Sequence, residues 1–474
     1  MSIINSEQHS QNILITINHG LSSRYILRSN LLNNLISYSN SKIIIAVADP
    51  NAFFDLVSRF KGRVSFVQSP ELINSYSKKQ KIYRYIKLIQ TFGLPKDKIY
   101  SAIWVKKKLW EKNTNYPPIK KIFVLILSRI HCNFYYFRKA LRLLAYLLLI
   151  DSRYTALLKE KNIDKVLLDG LTSLWPINAY WIAASKNLGL ETTTIITNWD
   201  HPTTRGYESI DSNQYLVWGK SMKEEMIKYH DIKPSKLDIS GSIIFDMYSD
   251  PSFILTVEQI NSLYIRNIPK QYVLFVTHSP YYPYNFELIK YIRKQIQNDI
   301  TLVIRLHPLY LDNFAKNELE KHKKYDVANQ NVIYFYPNSA SNSLSADMSY
   351  KEIQLSASLV GNAKVVLNCM STMLLDGLIN NKPVINIAFD WEKGTLIANT
   401  LSIAEYRIHL SRVINAPGTY LVRTRAELSD LIYELVNQRL ELKGSSIIDE
   451  IILNECGVID GSATMNIANH VIKS

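Results

Sequence analysis

Short apolar runs alternate with longer helical patterns along most of this chain. That alternation constrains the fold more than any other feature, because strand–helix–strand repeats build parallel α/β sheets. In the N-terminal half, residues 12–17 (NILITI), 42–47 (KIIIAV) and 63–68 (RVSFVQ) read as buried strands, with helical stretches at 24–37 and 52–59. The alternation returns with a strand at 165–168 (KVLL), a helix at 176–188 and a strand at 192–197 (TTTIIT). A polar, turn-rich stretch, NWDHPTTRGYESIDSNQ at 198–214, precedes a strand at 215–218; the expected domain division falls here, as 1–210 and 211–474. Beyond it, strands are expected at 237–240, 272–277 (YVLFVT), 301–306 (TLVIRL), 332–336 (VIYFY), 365–368 (VVLN) and 383–388 (PVINIA), and closing helices at 425–440 and 461–473. A chain of 474 residues has room for two such α/β domains facing a cleft, with ligands at the carboxyl ends of the strands.

Residues 78–150 break the pattern. They read as a long, basic helical insertion with no strand bounded by turn residues. The formal net charge of the chain is +14, yet residues 78–142 hold 17 Lys and Arg against two acids, Asp97 and Glu111; this one stretch nets +15 and the rest of the chain −1. Its uncharged runs reach about eight residues, short of the ~20 a membrane-spanning helix needs. The first thirty residues lack a basic start, apolar core and small-residue cleavage site, so a cytoplasmic chain is expected. Cys132, Cys369 and Cys456 lie far apart with no CxxC spacing, which fits a reducing compartment and argues against structural zinc.

Three clusters carry candidate chemistry. In RLHP, Arg305 and His307 stand where a buried strand ends, and Pro308 stops that strand; either side chain is suited to a donor phosphate. In CMSTMLLDGLINNKP, Ser371 and Thr372 stand at the cap or first turn of a helix, where backbone N–H groups favour an anion, and Asp376 is placed to accept from a ribose. In NWDHPTTRG, Asp200 and His201 are adjacent titratable groups after a strand, suited to a general base, with Thr203 and Thr204 as acceptor-side hydroxyls. His19 (INHG), His278 (after VLFVT) and Asp169 (LLDG) also fall at strand ends facing the expected cleft.

Phosphate-loop, GxGxxG, GxSxG and HExxH motifs are absent, which removes the common kinase, dehydrogenase, hydrolase and metalloprotease readings. No DxD pair is present to hold a metal against a nucleotide. Metal-independent stabilisation of a leaving group by His, Arg and a helix terminus is therefore expected, with no cofactor.

With VWGKSMKEEMIKYHDIKPSKLDISGSIIFDMY, VLFVTHS, RLHP, STMLLDGLINNKPVI and DGSAT in that order, the chain resembles the GT-B superfamily of bacterial surface-polysaccharide transferases. It looks most like the group of CDP-glycerol glycerophosphotransferases, Kdo transferases and HP-motif sialyltransferases. The resemblance covers residue 198 onward, the first 70 residues only in layout, and residues 78–150 not at all. It implies two Rossmann-like domains, an N-terminal acceptor side and a C-terminal nucleotide side. It also implies that His307 contacts the donor phosphate and that Ser371 and Thr372 bind that phosphate or the nucleotide. NWDHPTTRG resembles a glycerophosphotransferase loop in which a histidine directly after tryptophan is the proposed base, but here Asp200 separates Trp199 from His201. The acidic pair before glycine of the sialyltransferases is represented only by Asp169, kept as a reserve base.

The activity these features imply is transfer of a sugar from a CMP-, CDP- or UDP-type donor to a polysaccharide or lipid-linked glycan, as in capsule or lipopolysaccharide synthesis. Alternatives are a CDP-glycerol or ribitol phosphate transferase, a non-hydrolysing sugar-nucleotide epimerase, and a non-catalytic membrane-surface protein. Residues 78–142 are the expected docking surface for an anionic membrane, on its cytoplasmic face. Nucleic acid is not an expected partner, since no binding module accompanies the basic stretch.

Overall fold

The computed structural model describes residues 11–37, 39–53, 56, 59–60, 62–70, 78–95, 101–113, 115–329, 331–338, 344, 347–392, 401–437 and 446–473. Two fully parallel sheets organise the chain. The first contains β1 (Asn12–Thr16), β2 (Lys42–Val47), β3 (Val64–Gln68), β4 (Lys165–Leu168), β5 (Glu191–Ile195), β6 (Gln214–Val217) and β7 (Leu237–Ile239), in the order β3-β2-β1-β4-β5-β6-β7. The second contains β8 (Tyr272–Val276), β9 (Thr301–Arg305), β10 (Val332–Phe335), β11 (Val365–Asn368), β12 (Val384–Ile387) and β13 (Thr419–Val422), in the order β10-β9-β8-β11-β12-β13. Central strands such as β8 and β11 are apolar along nearly their whole length because helices cover both faces of each sheet. Strand order reverses between β1 and β4, and again between β8 and β11. Those two switch points are where a crevice opens outside the carboxyl ends of the strands.

The division at residue 210 is corrected. β6 pairs with β5 and β7 with β6, so the first sheet continues through Ile239. The C-terminal helices are also reassigned: Ile467, Ala468 and Val471 of Ala463–Lys473 join the core around β1 and β2. Asp246 caps that helix, accepting from the backbone N–H groups of Ala463 and Thr464 at 2.9 Å each. The preceding helix, Ser446–Cys456, presses its end so closely on the first domain that a Cβ on Gly219 would lie 2.3 Å from the Asn454 carbonyl oxygen.

The helix expected at 24–37 is interrupted. A π-helical turn, Ser23–Leu27, precedes Leu31–Ser37, and the Ser29 hydroxyl accepts from the Leu31 N–H between them. At 52–59 a 3-10 turn, Pro50–Phe53, comes first, Leu56 and Arg59 are helical, and residues 54, 55, 57 and 58 lie outside those described. The helix at 425–440 is described as Arg425–Asn437; residues 438–440 lie outside.

The basic stretch is helical, as Lys78–Phe92, Ser101–Lys112, Pro118–Asn133 and Tyr135–Leu149. Its apolar positions Tyr83, Ile86, Ile89, Leu141, Ala145 and Leu149 pack into the core on the first sheet. Some of its cations point inward. Arg138 pairs with Asp231 at 2.6 Å, and Arg142 pairs with Asp211 at 2.6 Å while its guanidinium sits over the Tyr207 ring. Among the described residues no helix is long and apolar enough to cross a membrane.

Candidate active site

A cavity of 290 Å³ lies between the two switch points, lined by His19 after β1, Asn198 after β5, Thr277 after β8, His307 after β9 and Ser371 and Thr372 after β11. Arg305 and Asp376 line it too, so six of the predicted residues meet in one place. Arg24, Tyr25 and Tyr248 complete the polar wall.

His307 is held by local geometry. Its N–H donates to Thr277 Oγ1 at 3.0 Å, and Pro308 starts a 3-10 turn whose Leu309 N–H donates to His307 Nδ1 at 3.2 Å. With Nδ1 accepting, the proton of the neutral ring sits on Nε2. Burial, followed by the nearby His278 and Arg24, lowers the His307 pKa to about 3, so the ring is neutral at pH 7 and still a donor. His19 repeats the arrangement: its Nδ1 accepts from Leu21 N–H at 3.0 Å, its ring stacks on Trp175, and burial lowers its pKa to about 4.

Arg24 supplies the permanent charge. It sits on the π-helical turn, its Nη1 reaches the Tyr25 hydroxyl at 3.3 Å, and its Nε is buried without a partner. Opposite, Asp376 Oδ1 accepts from the Tyr248 hydroxyl at 2.6 Å, and burial raises its pKa to about 6. The β11 turn is braced by Asn368, whose Oδ1 accepts from the N–H and hydroxyl of Ser371 at 3.2 and 2.7 Å. Met370 in this turn has φ +55°, a conformation costly for a residue with a side chain and frequent at binding sites.

Two predicted residues are engaged by neighbouring protein groups. Arg305 touches the cavity, but its guanidinium is committed to Glu352 at 2.7 Å, Ser356 Oγ at 3.1 Å and the Tyr336 carbonyl at 3.2 Å. It fixes the end of β9 rather than offering a free fork to a phosphate. Asp169 is fully buried and accepts from Thr16 Oγ1, the Asn18 backbone N–H, Asn18 Nδ2 and Asn178 Nδ2. Its oxygens tie the ends of β1 and β4 together and leave none for a substrate proton. His278 stands behind the cavity wall, where Asn285 holds its N–H.

The NWDHPTTRG cluster begins at the cavity, where Asn198 forms part of the lining, and continues beside it. His201–Thr204 is a short helical turn, and Asp200 Oδ2 accepts from Thr204 Oγ1 at 2.7 Å with Arg205 at 3.6 Å. Burial opposes ionisation of Asp200, but Arg205, His201 and His409 outweigh it and hold its carboxyl well below the usual range. Asp200 Oδ1 and His201 Nδ1 are buried and unpartnered, and burial lowers the His201 pKa to about 3. Thr203 Oγ1 meets His409 Nδ1 at 3.2 Å across the domains, and the Trp199 ring lies edge-on to His409. Sequence reasoning missed Arg24, Tyr248, Arg407 and His409. Arg24 was absorbed into a helical pattern, and Arg407 and His409 lie in no motif. Among the described residues, no three His, Cys, Asp or Glu side chains converge as metal ligands.

Burial of these rings sets a pH dependence. Eight of the ten histidines have native pKa values of about 3 to 4, against an ordinary value of 6.5. At pH 7 both folded and unfolded states are neutral. As pH falls through 6.5, only the unfolded chain takes up the protons, so each histidine costs on the order of 1 kcal/mol of stability per pH unit. Glu208 and Glu225, raised by burial to about 7, and Asp376 act in the opposite direction over the same interval. They are outnumbered. The melting temperature is expected to fall continuously from pH 7 to pH 5; calorimetry showing a flat or rising value would contradict this balance.

No protein-family model matches the chain, and no curated protein matches it in sequence. Solved structures do match. The chain is similar to the UDP-GlcNAc 2-epimerase from Methanocaldococcus jannaschii, at 12% identity and a TM-score of 0.52 over 98% of this chain and 100% of that one. It is likewise similar to the UDP-GlcNAc 2-epimerase from Neisseria meningitidis bound to UDP-GlcNAc, at 12% identity and a TM-score of 0.51 over 98% and 100%. At that identity the likeness concerns the fold, and the fold is GT-B-like: two Rossmann-like parallel-sheet domains facing a cleft.

Proposed function

We propose that this chain is a nucleotide-sugar-dependent glycosyltransferase that moves a sugar to a surface polysaccharide or lipid-linked glycan. The observation that carries this reading is the pairing of His307 and Arg24 in one cleft cavity, with the imidazole fixed by the Leu309 N–H so that its Nε2–H is free to donate. A nucleoside diphosphate leaving group develops charge on its phosphate as the sugar departs. A preorganised neutral donor and a guanidinium whose Nε has no protein partner stabilise that charge without reorganising. Ser371 and Thr372 border the same space for the phosphate, and Asp376, steadied by Tyr248, accepts from the ribose. On the acceptor side, neutral His201 takes the hydroxyl proton and Asp200 stabilises the imidazolium that forms.

The shared fold with UDP-GlcNAc 2-epimerases makes UDP-GlcNAc a rational first donor alongside CMP- and CDP-activated compounds. Incubation with each donor, with and without lipid-linked acceptors, followed by mass spectrometry and NMR tests the reading. Acceptor-dependent gain of a sugar mass supports it. Phosphate retained in the new linkage would indicate alditol-phosphate transfer, and acceptor-independent inversion at the sugar would indicate epimerisation.

A membrane-linked acceptor fits the outer face of the basic insertion. On Pro118–Asn133 the side chains of Ile119, Ile122, Phe123 and Ile126 recur at helical spacing and are 54–77% exposed. Phe134, Tyr136, Leu143 and Leu147 are exposed nearby, Lys120, Arg129 and Lys139 flank them, and residues 112–150 contain no acid. The partner that matches is an anionic lipid surface, which attracts each nearby cation by about 1 kcal/mol and admits the apolar side chains. The chain is expected to float with phosphatidylglycerol vesicles at moderate salt, and Phe123→Ser with Ile126→Ser to reduce the bound fraction at least fivefold. Failure to bind anionic vesicles contradicts the docking and leaves the donor site standing.

A further inference from the structure

A second cavity, of 690 Å³, adjoins the first and is larger. Its volume lies within the range of roughly 300–1,000 Å³ typical of small-molecule sites. The two cavities share no lining residue. Arg24 lines the first and Arg28, further along the same segment, lines the second. Arg28 also clasps the buried Asp347 of the second domain, Nε to Oδ1 at 3.3 Å and Nη2 to Oδ2 at 3.0 Å. A small apolar cluster of Phe253, Met348, Ile353 and Ala357 stands between the two spaces, with Met247 facing the second cavity and Tyr248 the first. Because Tyr248 is the residue that holds Asp376, the second cavity lies at the nucleoside end of the donor site. The NWDHPTTRG turn contributes nothing to its lining.

The lining decides the class of ligand. Nine of its twelve residues carry polar side chains, so an apolar molecule would strip them of water without replacing it. Neither sign of charge dominates. Arg28 is neutralised by Asp347, Asp246 spends its oxygens on the N–H groups of Ala463 and Thr464, and Arg59 and Asp250 add one charge of each sign. An anion would meet Asp246 and Asp250, and a cation Arg28 and Arg59. A neutral molecule rich in hydroxyls fits, since each hydroxyl both donates and accepts. Arg59 and the Asn30 amide supply donors, and Asp250 and Ser249, whose Oγ–H is given to the Asp246 carbonyl, supply acceptors. Tyr350, 44% exposed and set edge-on with Phe253, adds a hydroxyl and an apolar ring surface for the C–H groups of a sugar. We propose that this second cavity is a saccharide subsite, separate from the donor cavity, that binds a neutral sugar either within a glycan chain or free. Its reading as a hold on a distant segment of the acceptor glycan rests on the transferase reading; the preference of the cavity for a neutral saccharide does not.

The test is saturation-transfer NMR and calorimetry of the full chain with neutral hexasaccharides of glucose, galactose, mannose and N-acetylglucosamine, with their monosaccharides, and with a galacturonate hexamer as the acidic counterpart. At least one neutral saccharide is expected to bind, and to remain bound in excess UDP or CDP. Tyr350→Ala and Arg59→Ala should each weaken that binding at least fivefold while leaving nucleotide affinity within twofold. A hexasaccharide at least tenfold tighter than its monosaccharide would identify a glycan chain as the source, and equal affinity a free sugar. The proposal is overturned if no neutral saccharide binds, if nucleotide displaces all binding, if the galacturonate hexamer binds more tightly than every neutral one, or if both variants, at wild-type melting temperatures, bind as the parent does. If no nucleotide binds, the donor reading fails while the two variants still judge this one.

Discussion

Arg412→Ala is expected to destabilise the folded chain by about 3–5 kcal/mol, the cost of leaving buried charge without its partner. Arg412 Nη1 donates to Glu225 Oε1 at 2.6 Å, while Nε and Nη2 clasp the two oxygens of Glu455 at 2.6 and 2.8 Å. Both glutamate side chains are under 5% exposed. Glu225 belongs to the helix Lys220–His230 of the first domain, Glu455 to the returning helix Ser446–Cys456, and Arg412 to the second domain, so one guanidinium joins three separated segments. Its removal strands two carboxylates, one of which burial already raises to about 7. The loss extends to the site, because Glu455 Oε2 also accepts from Trp199 Nε1 at 2.7 Å and so holds the residue preceding Asp200. Urea unfolding should show the midpoint falling sharply; a change below about 1 kcal/mol would mean that water or local rearrangement satisfies the pair.

His307→Ala is expected to leave the fold intact and lower donor turnover by about 10²–10³-fold, the range for removing one preorganised donor from a developing oxyanion. The side chain sits at the end of β9 and is not part of a packed apolar cluster, so truncation costs little stability. Its Nδ1 bond to Leu309 is local to one turn. His307→Gln, which keeps an N–H at similar reach, should recover part of the rate, whereas a purely structural role would show equal losses for both. Unchanged turnover in the alanine variant would exclude His307 from leaving-group stabilisation.

Much of the fold was legible because parallel strands covered on both faces must be apolar along their length, and twelve of the thirteen strands overlap runs such as KIIIAV and YVLFVT. The thirteenth, TYLV at Thr419–Val422, lies outside those runs. The domain junction was not legible. A turn-rich stretch marks a loop, but only hydrogen bonding shows that β6 and β7 still belong to the first sheet. Similarly, periodicity identified the basic helices without telling which way their cations point, and Arg138, Arg142 and Lys106 turned out to face inward.

At the site, His307 could be located because Pro308 ends its strand, and Ser371, Thr372 and Asp376 because they follow β11. Asp169 looked equivalent from its place after β4, yet four donors from Thr16, Asn18 and Asn178 consume it. Those donors come from distant parts of the chain, and no local spacing announces them. Arg24 carries charge at a position that only tertiary packing brings to the cavity.

The central claim is that the cavity beside His307 and Arg24 holds the diphosphate of an activated sugar. Calorimetric titration of the full chain with UDP, CDP, CMP and GDP tests it most directly. The expected result is saturable binding of at least one of these nucleotides, weakened at least tenfold in His307→Ala and in Arg24→Gln. Absence of binding by all four, or affinity unchanged in both variants, would contradict the account.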